Sequence, residues 1–226
     1  MRRVDRAVIL AAGLGTRLKW LTRNRPKALL PVAGAPAIVQ VIRSLATQGV
    51  RDIAINVHHH ADALMDRLGD GSRLGVGLYY SPERNLLDSG GGVRTALDKL
   101  PGRGLVAVHN ADVLCHIDVQ QLAALCPDGG CALGLVPNPA HHAAGDFALY
   151  GGRVAESGEP RYTFSGVSVW HAEALSAYAA GEKFSLVPPI RRLIDAGLCA
   201  GLLYRGAWFD IGRPVDLMRA RRAWRA

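Results

Sequence analysis

The stretch that decides the fold of this chain is residues 8–31, VILAAGLGTRLKWLTRNRPKALLP. It begins with a short apolar run, which is typical of a buried strand, and continues into Gly13 and Gly15 and then into the cations Arg17 and Lys27. Glycine tolerates unusual backbone angles, and without a side chain it lets a ligand approach the main chain closely. Backbone N–H groups in such a turn, next to a helix N-terminus, bind anions. The order of strand, glycine loop and cations therefore predicts a site for the phosphates of a nucleotide.

Two well-known glycine loops do not fit this stretch. A P-loop carries a Lys-Ser/Thr pair directly after its last glycine, whereas Gly15 is followed by Thr16-Arg17. The dinucleotide fingerprint requires a third glycine where this chain has Leu18, and an acid at the end of the second strand, where it has Asn56-Val57-His58. No Walker A motif is present. A nicotinamide-dependent oxidoreductase is a weak alternative, which titration with NADH tests.

The residues after the glycine loop alternate between helix and strand patterns. Residues 36–49 have apolar side chains at helical spacing, and residues 51–57 alternate as a strand. Residues 60–68 predict a second helix, residues 76–80 a third strand and residues 105–108 a further buried strand. Strand, helix, strand is the parallel unit of α/β folds. We therefore expect a Rossmann-like α/β fold with a mixed, mostly parallel sheet flanked by helices.

Two carboxylates are candidate metal ligands, Asp112 after a predicted strand and Asp210 after the aromatic pair Trp208-Phe209. In open α/β sheets the ligand crevice lies beyond the carboxyl ends of the strands, and Asp112 follows the strand at residues 105–108. Mg²⁺ takes few protein carboxylates and keeps phosphate and water oxygens as its other ligands. Asp210 is the second candidate. The alternatives are a helix cap for Asp112, if a helix begins at Val113, and an acid near the helix opened by Pro214 for Asp210.

Several ordered strings resemble the signature of the sugar-phosphate nucleotidyltransferase family. They are LAAGLGTRL, RPKALLPVAGAPAI, DSGGG at residues 88–92, HNAD at 109–112, NPAHHAAGDFAL at 138–149, FSGVSV at 164–169 and WFDIG at 208–212. Together they cover nearly the whole chain. The resemblance implies the nucleotide-diphospho-sugar transferase type of fold. It also implies one domain, with a nucleotide-binding half over about residues 1–115 and a sugar-binding half over about residues 116–226.

The resemblance further implies an enzyme that transfers a nucleoside monophosphate from a nucleoside triphosphate to a sugar 1-phosphate. It favours UTP and N-acetylmuramate α-1-phosphate as substrates and Mg²⁺ as cofactor. Arg17 and Lys27 are the expected catalytic cations, and Asp112 and Asp210 the metal ligands. The residues expected to bind the nucleotide are Leu10, Ala11, Ala12, Gly13, Gly15, Thr16, Gly90, Gly91 and Asn110. Those expected to bind the sugar are Asn138, Asp146, Arg161, Ser165 and Gly166.

Other functions stay open at this stage. A guanylyl- or cytidylyltransferase acting on another sugar 1-phosphate is the nearest alternative, and a non-catalytic sensor of sugar nucleotides is the second.

The chain also departs from the family pattern. A Glu-Lys-Pro string often supplies a lysine for the sugar phosphate, whereas this chain reads Glu159-Pro160-Arg161. Arg161, His141 and His142 are the candidates to replace that lysine. The glycines at residues 90–92 are expected to form a loop against the nucleotide base, at the start of a helix.

Composition limits the remaining possibilities. With 226 residues, 49% of them apolar and 6% aromatic, the chain can bury an aliphatic core as one large domain. The four cysteines show no CxxC pair, which favours reduced thiols in a cytoplasmic protein. The first apolar run is too short for a signal peptide or a membrane span. Much of the net charge of +8 lies in residues 17–27 and 219–225 rather than along a basic, aromatic stripe. Neither a nucleic acid nor a membrane is an expected partner, and the oligomeric state is not predicted.

Overall fold

The computed structural model describes residues 3–225, apart from the side chain of Lys19. The first half of the chain contains, in order, β1 (Arg6–Leu10), β2 (Pro31–Val32), β3 (Ala35–Pro36), α1 (Ala37–Thr47), β4 (Asp52–Val57), α2 (Ala61–Leu68), β5 (Gly77–Pro82), α3 (Asp88–Leu97), β6 (Leu105–Asn110) and β7 (Val113–Cys115). The second half contains α4 (Val119–Leu125), β8 (Cys131–Val136), β9 (Phe147–Tyr150), β10 (Arg153–Ala155), β11 (Arg161–His171), α5 (Val187–Asp195), β12 (Cys199–Leu203), β13 (Trp208–Asp210) and α6 (Pro214–Ala223). Short 3₁₀ segments include Thr16–Thr22 and Lys27–Leu29.

The central sheet has nine strands in the order β5-β4-β1-β6-β11-β8-β12-β10-β9. The strands β5, β4, β1 and β6 are parallel to one another. Strand β11 is antiparallel to both of its neighbours, and β12 is parallel to β8. Strand β9 pairs with the start of β11 as well as with β10. The strands β11, β8, β12, β10 and β9 therefore form a closed ring. The predicted mixed, mostly parallel α/β sheet is confirmed.

Helices cover both faces of the sheet. Side chains alternate along a strand, so Ala7 and Ile9 of β1 join the buried cluster beneath α1, α2, α4 and α6. Val8 points the other way and joins the cluster that contains Val93 of α3 and Ile190 of α5. Because both faces are buried, the parallel strands have nearly continuous apolar sequences. No helix in residues 3–225 is long and apolar enough to cross a membrane.

The glycines at residues 90–92 do not form a loop, contrary to the sequence prediction. They lie inside α3, and all three are buried. A side chain on Gly90 would come within 2.4 Å of the Phe184 ring, and one on Gly91 within 2.1 Å of the carbonyl oxygen of Glu182. The glycines therefore allow α3 to pack closely against the segment that precedes α5.

Candidate active site

A cleft of about 700 Å³ lies at the carboxyl ends of the parallel strands, where the sequence placed it. The loop after β1 forms one wall, and the residues after β4, β5 and β6 form others. Ten of the predicted site residues line this cleft: Leu10, Ala11, Ala12, Gly13, Gly15, Thr16, Arg17, Lys27, Asn110 and Asp112. The cleft also includes Leu86, Asp88, Ser89, Lys183 and Gly212, which were not among the predicted site residues.

Gly15 holds the loop close to the segment that carries Lys27. Its φ of 63° is in the left-handed region that favours glycine. A side chain there would come within 3.1 Å of both Lys27 and Thr22. The Thr22 hydroxyl donates to the Gly15 carbonyl oxygen at 3.0 Å, and so does the backbone N–H of Leu18. Gly15 thus brings the stem of Lys27 against the turn that should receive phosphate.

A buried pair of polar side chains anchors the same loop from below. The Asn56 side-chain oxygen accepts a hydrogen bond from the Ala11 N–H at 2.7 Å, and its amide nitrogen donates to Glu83 Oε1 at 2.7 Å. Glu83 Oε2 accepts from the Leu87 N–H at 3.0 Å. Both side chains are buried, and both residues lie at the carboxyl ends of neighbouring strands, Asn56 near the end of β4 and Glu83 directly after β5. Sequence reasoning missed this network, although its members stand at the ends of neighbouring predicted strands.

The two candidate metal ligands are brought side by side by a strand pair. Strands β7 and β13 pair antiparallel, with Asp210 opposite Val113. The backbone N–H of Ile211 donates to the Asp112 carbonyl oxygen at 2.9 Å. Val113 begins a strand, so Asp112 is not a helix cap. Asp210 ends β13, and the acid in the first turn of α6 is Asp216, so the helix interpretation of Asp210 is also wrong.

The electrostatics of the centre favour an added cation. Lys27 Nζ forms an ion pair with Asp112 Oδ2, and both side chains are largely buried. Burial raises the pKa of Asp210, the charge of Asp112 raises it further, and Lys27 and Arg17 oppose that rise. Two carboxylates beside Lys27 and Arg17 fit Mg²⁺, which completes its shell with phosphate and water oxygens. Within the described residues no group of three or more His, Cys, Asp or Glu side chains forms a metal cage.

Two smaller cavities continue from the cleft and meet at Asn110. One of about 420 Å³ contains Asp146, Arg161 and Gly166, and one of about 270 Å³ contains Ser165, Gly166 and Asp210. Gly166 has a φ of 82°, and a side chain there would come within 2.5 Å of the Asn110 amide nitrogen. The absence of a side chain at Gly166 therefore lets the Asn110 side chain approach the backbone closely, a role that the sequence had assigned to a bound sugar.

Two of the predicted sugar-binding residues, Arg161 and Asp146, are engaged by the protein itself. The Arg161 guanidinium donates to the carbonyl oxygens of Ala144, Glu156 and Asp146 at 3.1, 2.7 and 2.7 Å. The Asp146 carboxylate accepts from the Phe164 N–H at 2.8 Å and lies 2.9 Å from a ring nitrogen of His142. Arg161 is therefore a poor replacement for the missing lysine.

Asn138 is also held by the protein, and it does not line the three cavities described. Its amide nitrogen donates to the Ala143 and Arg161 carbonyl oxygens at 3.0 and 3.1 Å, and its oxygen accepts from the Thr163 hydroxyl at 3.0 Å. Gly90 and Gly91 likewise face the protein interior instead of the cleft. For these residues the structure shows contacts within the protein where the sequence predicted ligand contacts.

Comparison with known proteins gives one family. The sequence profile described as Nucleotidyl transferase matches residues 6–145. The chain is 38% identical over 224 residues to N-acetylmuramate alpha-1-phosphate uridylyltransferase of Neisseria meningitidis, with 96% of both proteins covered. It is 32% identical to the protein of the same name from Caulobacter vibrioides, with 95% of this chain and 94% of that protein covered. The crystal structure of HddC from Yersinia pseudotuberculosis with GMP-PN superposes with a TM-score of 0.79 at 22% identity, over 97% of this chain and 99% of that one, which is a likeness of fold.

Proposed function

Because the chain belongs to the nucleotidyl transferase family, we propose that it transfers uridine monophosphate from UTP to N-acetylmuramate α-1-phosphate and releases pyrophosphate. The observation that carries the proposal is that the glycine loop, Lys27 and Asp112 line one cleft. The pairing of β7 with β13 brings Asp210, which lines an adjoining cavity, beside Asp112. The name of two relatives, covered over nearly their whole length, supports the choice of substrates. A sensor without catalytic activity has no need of paired carboxylates beside two cations.

The cations of the cleft have separate roles in this proposal. Arg17 is exposed and its guanidinium lies beside Gly212, where it can receive the departing β- and γ-phosphates. Lys27 is held against the glycine loop and neutralises charge that develops on the α-phosphate. Charge stabilisation by fixed donors in such a site is usually a large term in catalysis. Both residues act by binding and aligning the triphosphate.

The attacking group needs no base from the protein. A phosphate monoester has a second pKa of about 6, so the acceptor is largely dianionic at neutral pH. The protein must then bring two anions together and align them in line, as in other phosphoryl-type transfers. Asp112 and Asp210 would hold Mg²⁺, which when bound supplies the positive charge that two facing phosphates require. Without that ion, Lys27 is the partner of Asp112.

A substrate panel tests the proposal. Pyrophosphate release is measured with Mg²⁺, each nucleoside triphosphate in turn, and sugar 1-phosphates that include N-acetylmuramate α-1-phosphate. The expected result is release with UTP and that sugar, and its loss on addition of a chelator. Release with GTP or CTP, or with another sugar only, keeps nucleotidyl transfer and refutes the substrate choice.

Two variants test the metal assignment. Asp112→Asn and Asp210→Asn should each abolish release and keep the fold, because both carboxylates face the cleft region rather than the core. The matched control is Asp66→Asn, which removes an exposed carboxylate of α2 and should leave activity unchanged. Full activity of either cleft variant refutes the metal assignment.

A further inference from the structure

The cavity of about 420 Å³ has a composition that suits an acidic, acylated sugar. Its size is within the range of small-molecule sites. It is joined to the nucleotide cleft through Leu10, Ser89 and Asn110, which line both. Much of its wall is apolar, with side chains from Phe147, Phe164, Val187 and Ile190. Such a wall suits the methyl groups of acyl and ether substituents better than the bare hydroxyls of a simple hexose.

The charged residues at this cavity differ in what they can still bind. Arg161 is committed to three backbone carbonyl oxygens, as described above. Arg191 projects from α5, and its Nε forms an ion pair with Glu156 Oε1 at 2.6 Å. Its side chain is 56% exposed and lines the cavity, and none of the backbone carbonyl oxygens that hold Arg161 is a partner of Arg191. Arg191 is therefore the arginine of this cavity that is open to a ligand.

The neighbouring arginine shows that this placement is specific to one face of α5. Arg192 does not line the cavity. It donates to the Ala174 carbonyl oxygen at 2.7 Å, and its guanidinium lies 5.5 Å from the centre of the Tyr178 ring. Arg192 is thus engaged in packing contacts, whereas Arg191 lines the cavity. The ion pair with Glu156 orients Arg191.

We propose that Arg191 binds a carboxylate carried by the sugar of the acceptor, and so selects an acidic sugar 1-phosphate over a neutral one. This rests on the proposed function and names the residue responsible for its choice of sugar. A guanidinium recognises a carboxylate with two parallel hydrogen bonds, which gives geometric selectivity as well as affinity. Glu156 makes the preference depend on Arg191, because once the arginine is removed the charge of Glu156 repels an acidic sugar.

The test compares two acceptors of similar shape, of which only one carries a carboxylate. They are N-acetylmuramate α-1-phosphate and its lactyl carboxamide, each with UTP and Mg²⁺, and the readout is kcat/KM from pyrophosphate release. The unchanged protein should prefer the acid by about 10- to 100-fold, the range for a hydrogen bond to a charged group. Arg191→Gln should lose this preference through a raised KM for the acid, with KM for the carboxamide unchanged. Arg191→Lys should keep part of it.

The control is Arg192→Gln, which removes an arginine of the same helix and should keep the preference. Thermal unfolding of each variant checks that the fold is retained. An acid preference that survives in Arg191→Gln, or that is absent in the unchanged protein, overturns the inference. Turnover of neutral sugar 1-phosphates only would also overturn it, while leaving nucleotidyl transfer in place. No turnover with any sugar 1-phosphate would instead refute the proposed function.

Discussion

Replacing Asn56 by leucine tests whether the buried amide holds the nucleotide loop in place. Asn56 is 3% exposed, and its two polar atoms are both used: the oxygen by the Ala11 N–H and the nitrogen by Glu83, each at 2.7 Å. Leucine has a similar size but no polar atoms. The substitution therefore removes both hydrogen bonds without opening a large cavity.

The expected cost follows from the two partners left behind. A buried donor without a partner costs about 1–3 kcal/mol, and a hydrogen bond to a charged group contributes about 1.5–3 kcal/mol. Because Ala11 borders the open cleft, water can partly replace the lost acceptor. We expect the free energy of unfolding to fall by about 2–4 kcal/mol. We also expect KM for UTP to rise, because the loop from Ala11 to Gly15 loses its anchor.

Urea unfolding and steady-state kinetics measure the two effects on the same protein. Asn56→Asp is the companion variant, since it keeps the acceptor for Ala11 but places a carboxylate against Glu83. Its loss of stability should therefore shrink when the pH is lowered enough to protonate one of the two acids. An Asn56→Leu protein with unchanged unfolding free energy and unchanged KM for UTP would refute the anchoring role.

The remaining predictions concern single residues in and around the cleft. Burial and the nearby carboxylate of Asp112 raise the pKa of Asp210, so between its ordinary and its raised pKa the native state binds a proton that the unfolded state has lost. The free energy of unfolding therefore falls as the pH rises through that interval. Asp210→Asn should therefore increase the unfolding free energy in urea at neutral pH, give no gain below about pH 3, and abolish transfer. Lys27→Met should lower kcat by about 100- to 1,000-fold in steady-state assays, and an unchanged kcat would return Lys27 to a structural role. Gly13→Ala should keep the melting temperature, because its side chain would meet no described atom within 4 Å, yet raise KM for UTP. Gly91→Ala should lower the melting temperature and cost about 1–3 kcal/mol of stability, with KM for UTP unchanged, since its side chain would clash with the Glu182 carbonyl oxygen. Equal melting temperatures for the Gly13 and Gly91 variants would contradict these separate roles of the two glycines.

The local features of the nucleotide half were predictable from the sequence. A strand followed by Gly13, Gly15 and cations has few structural solutions, and regular periodicity placed the helices and strands that follow it. Asp112 could be placed at the cleft because it follows a buried strand. The glycines at residues 90–92 were misjudged, because glycine is permissive both in a loop and in a helix that another segment approaches closely.

Contacts between distant parts of the chain could not be read from the sequence. The pairing of β7 with β13 brings Asp210 beside Asp112, and no local pattern specifies that register. The same holds for Arg161, whose guanidinium is used by backbone carbonyl oxygens of three residues that precede it in the chain. A cation in a sequence shows that a charge is available, and only the fold shows whether it is already committed.

The central claim is that the cleft transfers a nucleotidyl group, and the fate of the α-phosphate tests it most directly. UTP radiolabelled at the α-phosphorus is incubated with the protein, Mg²⁺ and N-acetylmuramate α-1-phosphate, and the products are separated. The account predicts that the label appears in a UDP-linked sugar, with one pyrophosphate released for each sugar nucleotide formed and none in the Asp112→Asn protein. Label that remains in UTP with every sugar 1-phosphate offered, or that appears only as free UMP, would contradict it.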